Sequence, residues 1–398
     1  MSGKYWVLVL FVILVFSALL AFHTIPLDSQ IQTALPFKNV TNTNLEGIDT
    51  SKNSMDVEAV DIDKDGDLDL VIAKEFQPNQ ILINDGSGKF TDESRSRLPQ
   101  NRHDSEHIAI ADFDNDNDLD IIFVSEDDKT NEYYLNDGKG FFKKSSALQN
   151  FLGVSNVVIA PDVNNDAHPD LIIGNRGNNF LLINDGKGNF KDESKKRLDL
   201  NSETTQDMEA VDIDNDGDLD LLEANESISR ILINDGNGHF TDESQERLNI
   251  GKHQTREIEA GDLDNDGDID LFLANVDFGG IGNPQNRLLI NDGKGYFQDI
   301  TATGLPSSSL RTVGALLYDL DHDGFLDIVA GNRFNGMQQL VLLNNGENTF
   351  VDHTADYFPK LDHYTFDVAF ADFNGDGLAD VYLANFRGSD VLLFQTKP

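Results

Sequence analysis

Carboxylates recur in this sequence at a spacing that suits a hard metal ion. An Asp is followed two residues on by Asp or Asn, then by a further Asp. Eight residues after the first comes another Asp with an aliphatic neighbour. The copies are Asp61, Asp63, Asp65 and Asp69; Asp112, Asp114, Asp116 and Asp120; Asp162, Asn164, Asp166 and Asp170; Asp212, Asp214, Asp216 and Asp220; Asp262, Asp264, Asp266 and Asp270; Asp319, Asp321, Asp323 and Asp327; and Asp372, Asn374, Asp376 and Asp380. Oxygens at positions 1, 3, 5 and 9, with a main-chain carbonyl at 7, suit calcium, which takes several oxygen ligands in flexible geometry. Bare carboxylates so close would repel one another, and solvated turns do not need fixed spacing. No His or Cys recurs with the acids, which argues against zinc and copper. The reading is up to seven bound Ca2+, one per loop.

The opening resembles an EF-hand, but that loop needs a bidentate Glu at position 12. Here position 12 is Ile72, Phe123, Ile173, Glu223, Leu273, Ala330 or Leu383, so the EF-hand reading fails. The copies are unequal. Position 6 is Gly in most, where the chain must bend, but Asn117 in the second and Ala167 in the third. With Asn164 and Pro169 as well, the third loop is the weakest expected site. The seventh offers a neutral oxygen from Asn374.

These loops need elements to hold them, and the sequence supplies the same ones each time. Alternation such as Val57-Glu58-Ala59-Val60 precedes a loop and reads as a strand. An aliphatic run from Leu68 to Ala73 follows, then a third strand, Ile81-Leu82-Ile83. Asn84-Asp85-Gly86-Ser87-Gly88 makes a tight turn, since glycine tolerates positive φ. A fourth strand opens with Phe90. Four strands per roughly fifty residues predict an all-β fold, a seven-bladed β-propeller of four-stranded antiparallel blades. The last unit stops after its third strand, whereas Phe37-Lys38-Asn39-Val40-Thr41 resembles a fourth strand such as Phe297-Gln298-Asp299-Ile300-Thr301. Residues 37–43 are therefore expected to complete the last blade, so that 37–398 form one ring without free sheet edges.

The N-terminus is a separate element. Lys4 precedes an uncharged run from Tyr5 to Phe22, long enough as a helix to cross a bilayer core. Residues 1–30 read as a signal anchor through 5–22, or as a signal peptide that is cleaved, with a short linker. Either places the remainder outside the cytoplasm, anchored or secreted, with the membrane met only through this segment. The formal charge of −40 makes nucleic acid a poor partner. The absence of Cys excludes disulfides and thiol catalysis, so calcium would have to staple the fold.

The repeated Asp loops resemble the FG-GAP/VCBS repeat family, which includes the propeller heads of integrin α subunits. The likeness spans roughly residues 37–398. The Phe-Gly and Gly-Ala-Pro signatures are degenerate here, as at Ala274-Asn275 and Ala330-Gly331. The resemblance implies calcium between the first two strands of a blade, held by the Asp and Asn positions above, and adhesion or recognition of a protein or glycan.

Candidate contact loops lie on the face away from the Asp loops, where the sequence varies most. They include Glu126-Asp127-Asp128, Asn175 to Asn178, Asn225-Glu226-Ser227, Asn332 to Asn335 and Asn385-Phe386-Arg387. The longest runs from Asn275 to Arg287 and carries Phe278-Gly279-Gly280-Ile281-Gly282. Polar residues also interrupt the first strands: Asp56, His107, Asp207, Glu257 and Asp367, with Glu58, Glu209 and Glu259. They read either as an acidic ring for a cation or amine, or as a hydrated channel wall. A propeller enzyme acting on polysaccharide or small molecules is the alternative function. Paired carboxylates could hydrolyse glycans, but seven acidic repeats make pairs everywhere. His103, His107, His253 and His363 stand near strand starts without a nucleophile at a recognisable elbow.

Overall fold

The computed structural model describes residues 35–396 apart from 52, 201, 279, 281–283, 309, 334–337 and 362. The run 5–22 and the segment 1–30 lie outside the described residues. Among the described residues no helix is long and apolar enough to cross a membrane.

The fold is all-β, built from repeated four-stranded antiparallel units. The first unit is Ser54–Val60, Asp69–Gln77, Gln80–Asn84 and Phe90–Asp92. Its second strand is buried from Asp69 to Lys74, as expected of a strand covered on both faces. The next five units are built in the same way from consecutive strands. The last takes Tyr364–Ala371, Asp380–Arg387 and Val391–Gln395 from the C-terminus and its outer strand, Phe37–Asn39, from the N-terminus. Phe37 stands opposite Gln395 and Asn39 opposite Leu393.

The first strands pack side by side in chain order, and the last of them, Tyr364–Ala371, packs on Ser54–Val60 to close the circuit. The core lies between neighbouring units. Ile62, Val71 and Ile81 of the first meet Ile108, Ile121, Phe123 and Tyr134 of the second. Leu70, Ile72 and Leu82 on the other face of the first meet Phe373, Tyr382 and Leu392 of the last. Truncating such a fully buried aliphatic costs about 2–5 kcal/mol.

One junction differs. The second strand of the first unit extends far enough to pair Glu75 with Asp104 and Gln77 with His103, joining the first two units in one sheet. A second feature is absent from the strand-only reading. After most fourth strands stands a single helical turn, as at Ser94–Arg97, Ser194–Arg197 and Ser244–Arg247. Asp92 Oδ1 accepts the Ser94 N–H at 3.0 Å, and Ser94 Oγ accepts the Ile81 N–H at 2.9 Å. The Asp-Glu-Ser triplet was the signal for this turn, since Asp and Ser bond to nearby backbone.

Candidate metal centres

Each Asp loop turns the chain from the first strand into the second and is held by its own carboxylates. In the first, Asp61 accepts the Asp65 and Gly66 N–H groups through its two oxygens, both at 3.1 Å. Asp65 Oδ1 accepts the Asp67 N–H at 3.0 Å. The buried Asp69 accepts the Asn84 N–H at 2.8 Å and the Ile62 N–H at 3.3 Å. Position 4 takes left-handed backbone in all seven loops, with φ near 60° at Lys64, Asn115, Asn165, Asn215, Asn265 and His322 and 73° at Gly375. Asn tolerates this conformation better than most residues, which accounts for its frequency there.

The geometry gathers the predicted ligands. Oxygens of Asp61, Asp63 and Asp69 lie within 4.8 Å of one another, as do those of Asp212, Asp214 and Asp220, and of Asp262, Asp264 and Asp270. In the second loop the group is Asp112, Asp114 and Asp116. There Asp120 Oδ2 accepts the Tyr133 hydroxyl at 2.9 Å, a bond that the aliphatic residues at the matching position of other units cannot make. Position 3 supplies the test of fit. Asp63 Oδ1, Asp114 Oδ1 and Asp214 Oδ1 are buried with no hydrogen-bond partner. An unpartnered buried carboxylate oxygen is costly, and a hard cation would satisfy it.

The third and seventh loops differ in that respect. Asn164 Nδ2 donates to Asp170 Oδ2 at 3.1 Å, and Asn374 Nδ2 donates to Asp380 Oδ2 at 3.0 Å. Part of the need for a cation is met internally. Ala167 also holds φ at 67°, where other loops mostly place Gly. Burial pushes the position 9 carboxyls of Asp69, Asp120, Asp220, Asp270, Asp327 and Asp380 up to about 7, and that of Asp170 to about 6. A dication beside them would favour the charged form.

Arginines that the sequence reading passed over serve two of these loops. Arg97 donates to Asp63 Oδ2 at 3.0 Å and to the Lys139 carbonyl of the next unit at 2.7 Å. Arg247 does the same with Asp214 and Lys294, at 3.2 and 2.5 Å. The Arg-Leu pair that ends the helical turn, at Arg97, Arg197 and Arg247, was the available signal. The turn asparagines also bind units together. The side chains of Asn84, Asn136, Asn184, Asn234, Asn291 and Asn344 donate to loop carbonyls of the preceding unit, those of Phe373, Ile62, Phe113, Val163, Ile213 and Leu263.

The pattern that defines FG-GAP-like repeats matches residues 61–123, 162–223, 212–273, 262–330 and 319–383. Each match begins on the first Asp of one loop and ends just past the next loop, and together they cover most of the chain. The chain belongs to the FG-GAP-like repeat family. No curated protein matches it. Among solved structures it is similar to a lectin from Agrocybe aegerita that recognises non-reducing terminal N-acetylglucosamine. That likeness has 19% identity and a TM-score of 0.50, covering 83% of this chain and 85% of the lectin. It is also similar to BBS1N, solved in complex with ARL6DN, at 11% identity and a TM-score of 0.55, covering 87% of this chain and 94% of that one. At these identities the likeness shows the fold, a propeller-like arrangement.

In this FG-GAP-like chain the acids of the first strands have a structural task. A bulge interrupts the ladder just before each of Asp56, Asp207 and Asp367. Asp56 Oδ2 accepts the Ile108 N–H at 2.7 Å, Asp207 Oδ2 that of Ile258 at 2.9 Å, and Asp367 Oδ2 that of Val57 at 2.9 Å. Each carboxylate thus joins its strand to the next unit's. Burial and neighbouring acids drive Asp56, Glu257 and Glu259 well above the usual carboxylate range.

At the far end of the first strands a small cavity of about 60 Å³ is lined by Met55, Glu106, Asn156, Gln206, Arg256, Val313 and Phe366, one from each unit, with Glu257 and Asp367. Beside it Arg333 lies 5.2 Å over the Phe278 ring, 5.4 Å over Phe366 and 5.8 Å over Phe386. Arg387 lies over Tyr364 and Phe386. The candidate contact loop places Phe278 here, 41% exposed, while its 279 and 281–283 lie outside the described residues.

Proposed function

We propose that this chain is a seven-bladed β-propeller, stabilised by Ca2+ in its Asp loops, that works outside the cytoplasm as a binding module for a protein or glycan ligand. The observation that carries the reading is the arginine–aromatic mouth of Phe278, Arg333, Phe366, Phe386 and Arg387, at the strand ends away from the Asp loops. Aromatic faces and guanidinium groups dominate binding energy where they meet a ligand. The seven four-stranded units and the closed circuit of their first strands support seven blades. The orphaned oxygens of Asp63, Asp114 and Asp214 support calcium. Loops of this kind without a rigid cage bind at about 10⁻⁴–10⁻³ M, a range that suits extracellular fluid, as does the apolar run 5–22 read as an anchor or signal. The similar propellers, one a lectin and one in a protein complex, agree with either ligand class.

The test is to probe the calcium-loaded protein against arrays of glycans, terminal N-acetylglucosamine included, and of extracellular proteins. Phe278→Ala and Arg333→Ala should each weaken the retained ligand at least ~10-fold, equal to about 1.4 kcal/mol. Retention of nothing on either array, or variants that bind as well as the parent, would overturn the reading.

A further inference from the structure

The same mouth holds an acidic group of a different design from the Asp loops. In the second unit, Asp104 and Glu106 stand eight and six residues before the first loop Asp, and Glu126 stands fourteen after it. The first unit has Asn53, Met55 and Glu75 at these positions, the fourth Thr204, Gln206 and Glu226, and the sixth Arg311, Val313 and Arg333. All three are acidic in the second unit alone.

The backbone brings them together. The extended strand of the first unit pairs Glu75 with Asp104. The Asp104 carbonyl accepts the Glu126 N–H at 3.1 Å, and Asp104 Oδ2 accepts the Asp127 N–H at 2.9 Å. One oxygen from each of Asp104, Glu106 and Glu126 then lies within 4.8 Å of the others. Asp104 is 2% exposed, and its second oxygen, Oδ1, is buried with no hydrogen-bond partner. A buried carboxylate oxygen without a partner carries a large desolvation cost. Among the described residues no Lys or Arg pairs with any of the three. Arg256, whose charge reaches Glu106, pairs instead with Glu226 at 3.9 Å.

We propose that Asp104, Glu106 and Glu126 form a divalent-cation site at the mouth, separate from the Asp loops. Three carboxylates with no nitrogen or sulfur donor select Ca2+ or Mn2+ over zinc or copper. The site does not depend on the Asp loops holding ions, since it shares no ligand with them.

The experiment is anomalous diffraction from crystals of the protein soaked in Mn2+, paired with metal counting on the desalted protein. An anomalous peak among the three carboxylates is expected. The Asp104→Asn/Glu106→Gln double variant should lose that peak and one ion per chain, with its circular dichroism unchanged, and Glu126→Gln should weaken it. Asp212→Asn, in a loop, should leave the peak in place, which separates failure here from failure of the loop reading. No peak in the parent crystals, or a double variant that keeps every ion, would overturn the site.

Discussion

The two ends of the first strands obey different rules. At the loop end all seven units repeat the acidic loop, with Asn for one Asp in the third and seventh, and six of them repeat the same turn and the same asparagine bond to a neighbour. At the mouth end the cavity is lined by Met55, Glu106, Asn156, Gln206, Arg256, Val313 and Phe366, seven residues of six chemical characters. A position that repeats serves a need common to all units, which here is to reverse the chain and hold the next unit. A position that varies has no such duty and is free for recognition. The mouth is also divided. Glu75, Asp104, Glu106 and Glu126 make one acidic arc, whereas Arg311, Arg333, Phe366 and Phe386 make a basic, aromatic one.

Removing divalent ions should break this comparison most severely. An ion at ten times its dissociation constant adds about 1.4 kcal/mol per site, and several loops act at once. A kilocalorie shifts the midpoint of a large domain by roughly 2–4 °C. Chelation with EDTA should therefore lower the thermal midpoint by roughly ten degrees or more, and added Ca2+ should restore it. An unmoved midpoint would mean that the repeated end works through hydrogen bonds alone.

Acidity probes the acids of the first strands, between the two ends. Burial, then Asp207, pushes the half-buried Glu209 carboxyl up to about 8. An unfolded glutamate releases its proton near 4.3, so between these values the folded chain binds the extra proton. Stability from this group is complete below about 4.3 and is lost as pH rises through 8. Calcium loops run the other way, since their ligands must be deprotonated. In EDTA, Glu209→Gln should therefore flatten the fall in stability between pH 5 and 8, by at most ~1.4 kcal/mol per pH unit for one proton. Parallel denaturation curves for parent and variant across that range would show that Glu209 is ionised throughout.

The loop end was legible in the sequence because its rules are local. Asp61, Asp63 and Asp65 sit in one turn, and their spacing carries both fold and chemistry. The mouth was legible only as separate candidate contact loops, which named Glu126, Phe278, Arg333, Phe386 and Arg387; how these groups meet was not, because they come from positions far apart in the chain. Nothing near Asp104 signals that Glu126 folds back onto it, or that Glu75 of the preceding unit runs alongside. The first-strand acids were visible as polar interruptions. Their task, accepting an N–H freed by a bulge in the next unit, appears only once neighbouring strands are in place. Tyr133 shows the same limit: its hydroxyl reaches Asp120 across the sheet, and no spacing rule records that.

The smallest expected effect tests how far repetition governs the loop end. Six units end their third strand in an asparagine whose amide bonds to the preceding unit. The last ends instead in Gln395, whose main chain keeps the common bond to Asp380 at 3.0 Å. Its amide nitrogen and oxygen are both buried without a partner. By the pattern of the other six, an asparagine here would reach the Leu320 carbonyl. Gln395, one methylene longer, makes no such bond. Gln395→Asn should therefore raise stability by about 1 kcal/mol, the net worth of a buried hydrogen bond, read as a small rise in denaturation midpoint at constant m-value. A loss of stability would mean that the extra methylene packs usefully at the seam, where the N-terminal strand, and not a turn, completes the unit.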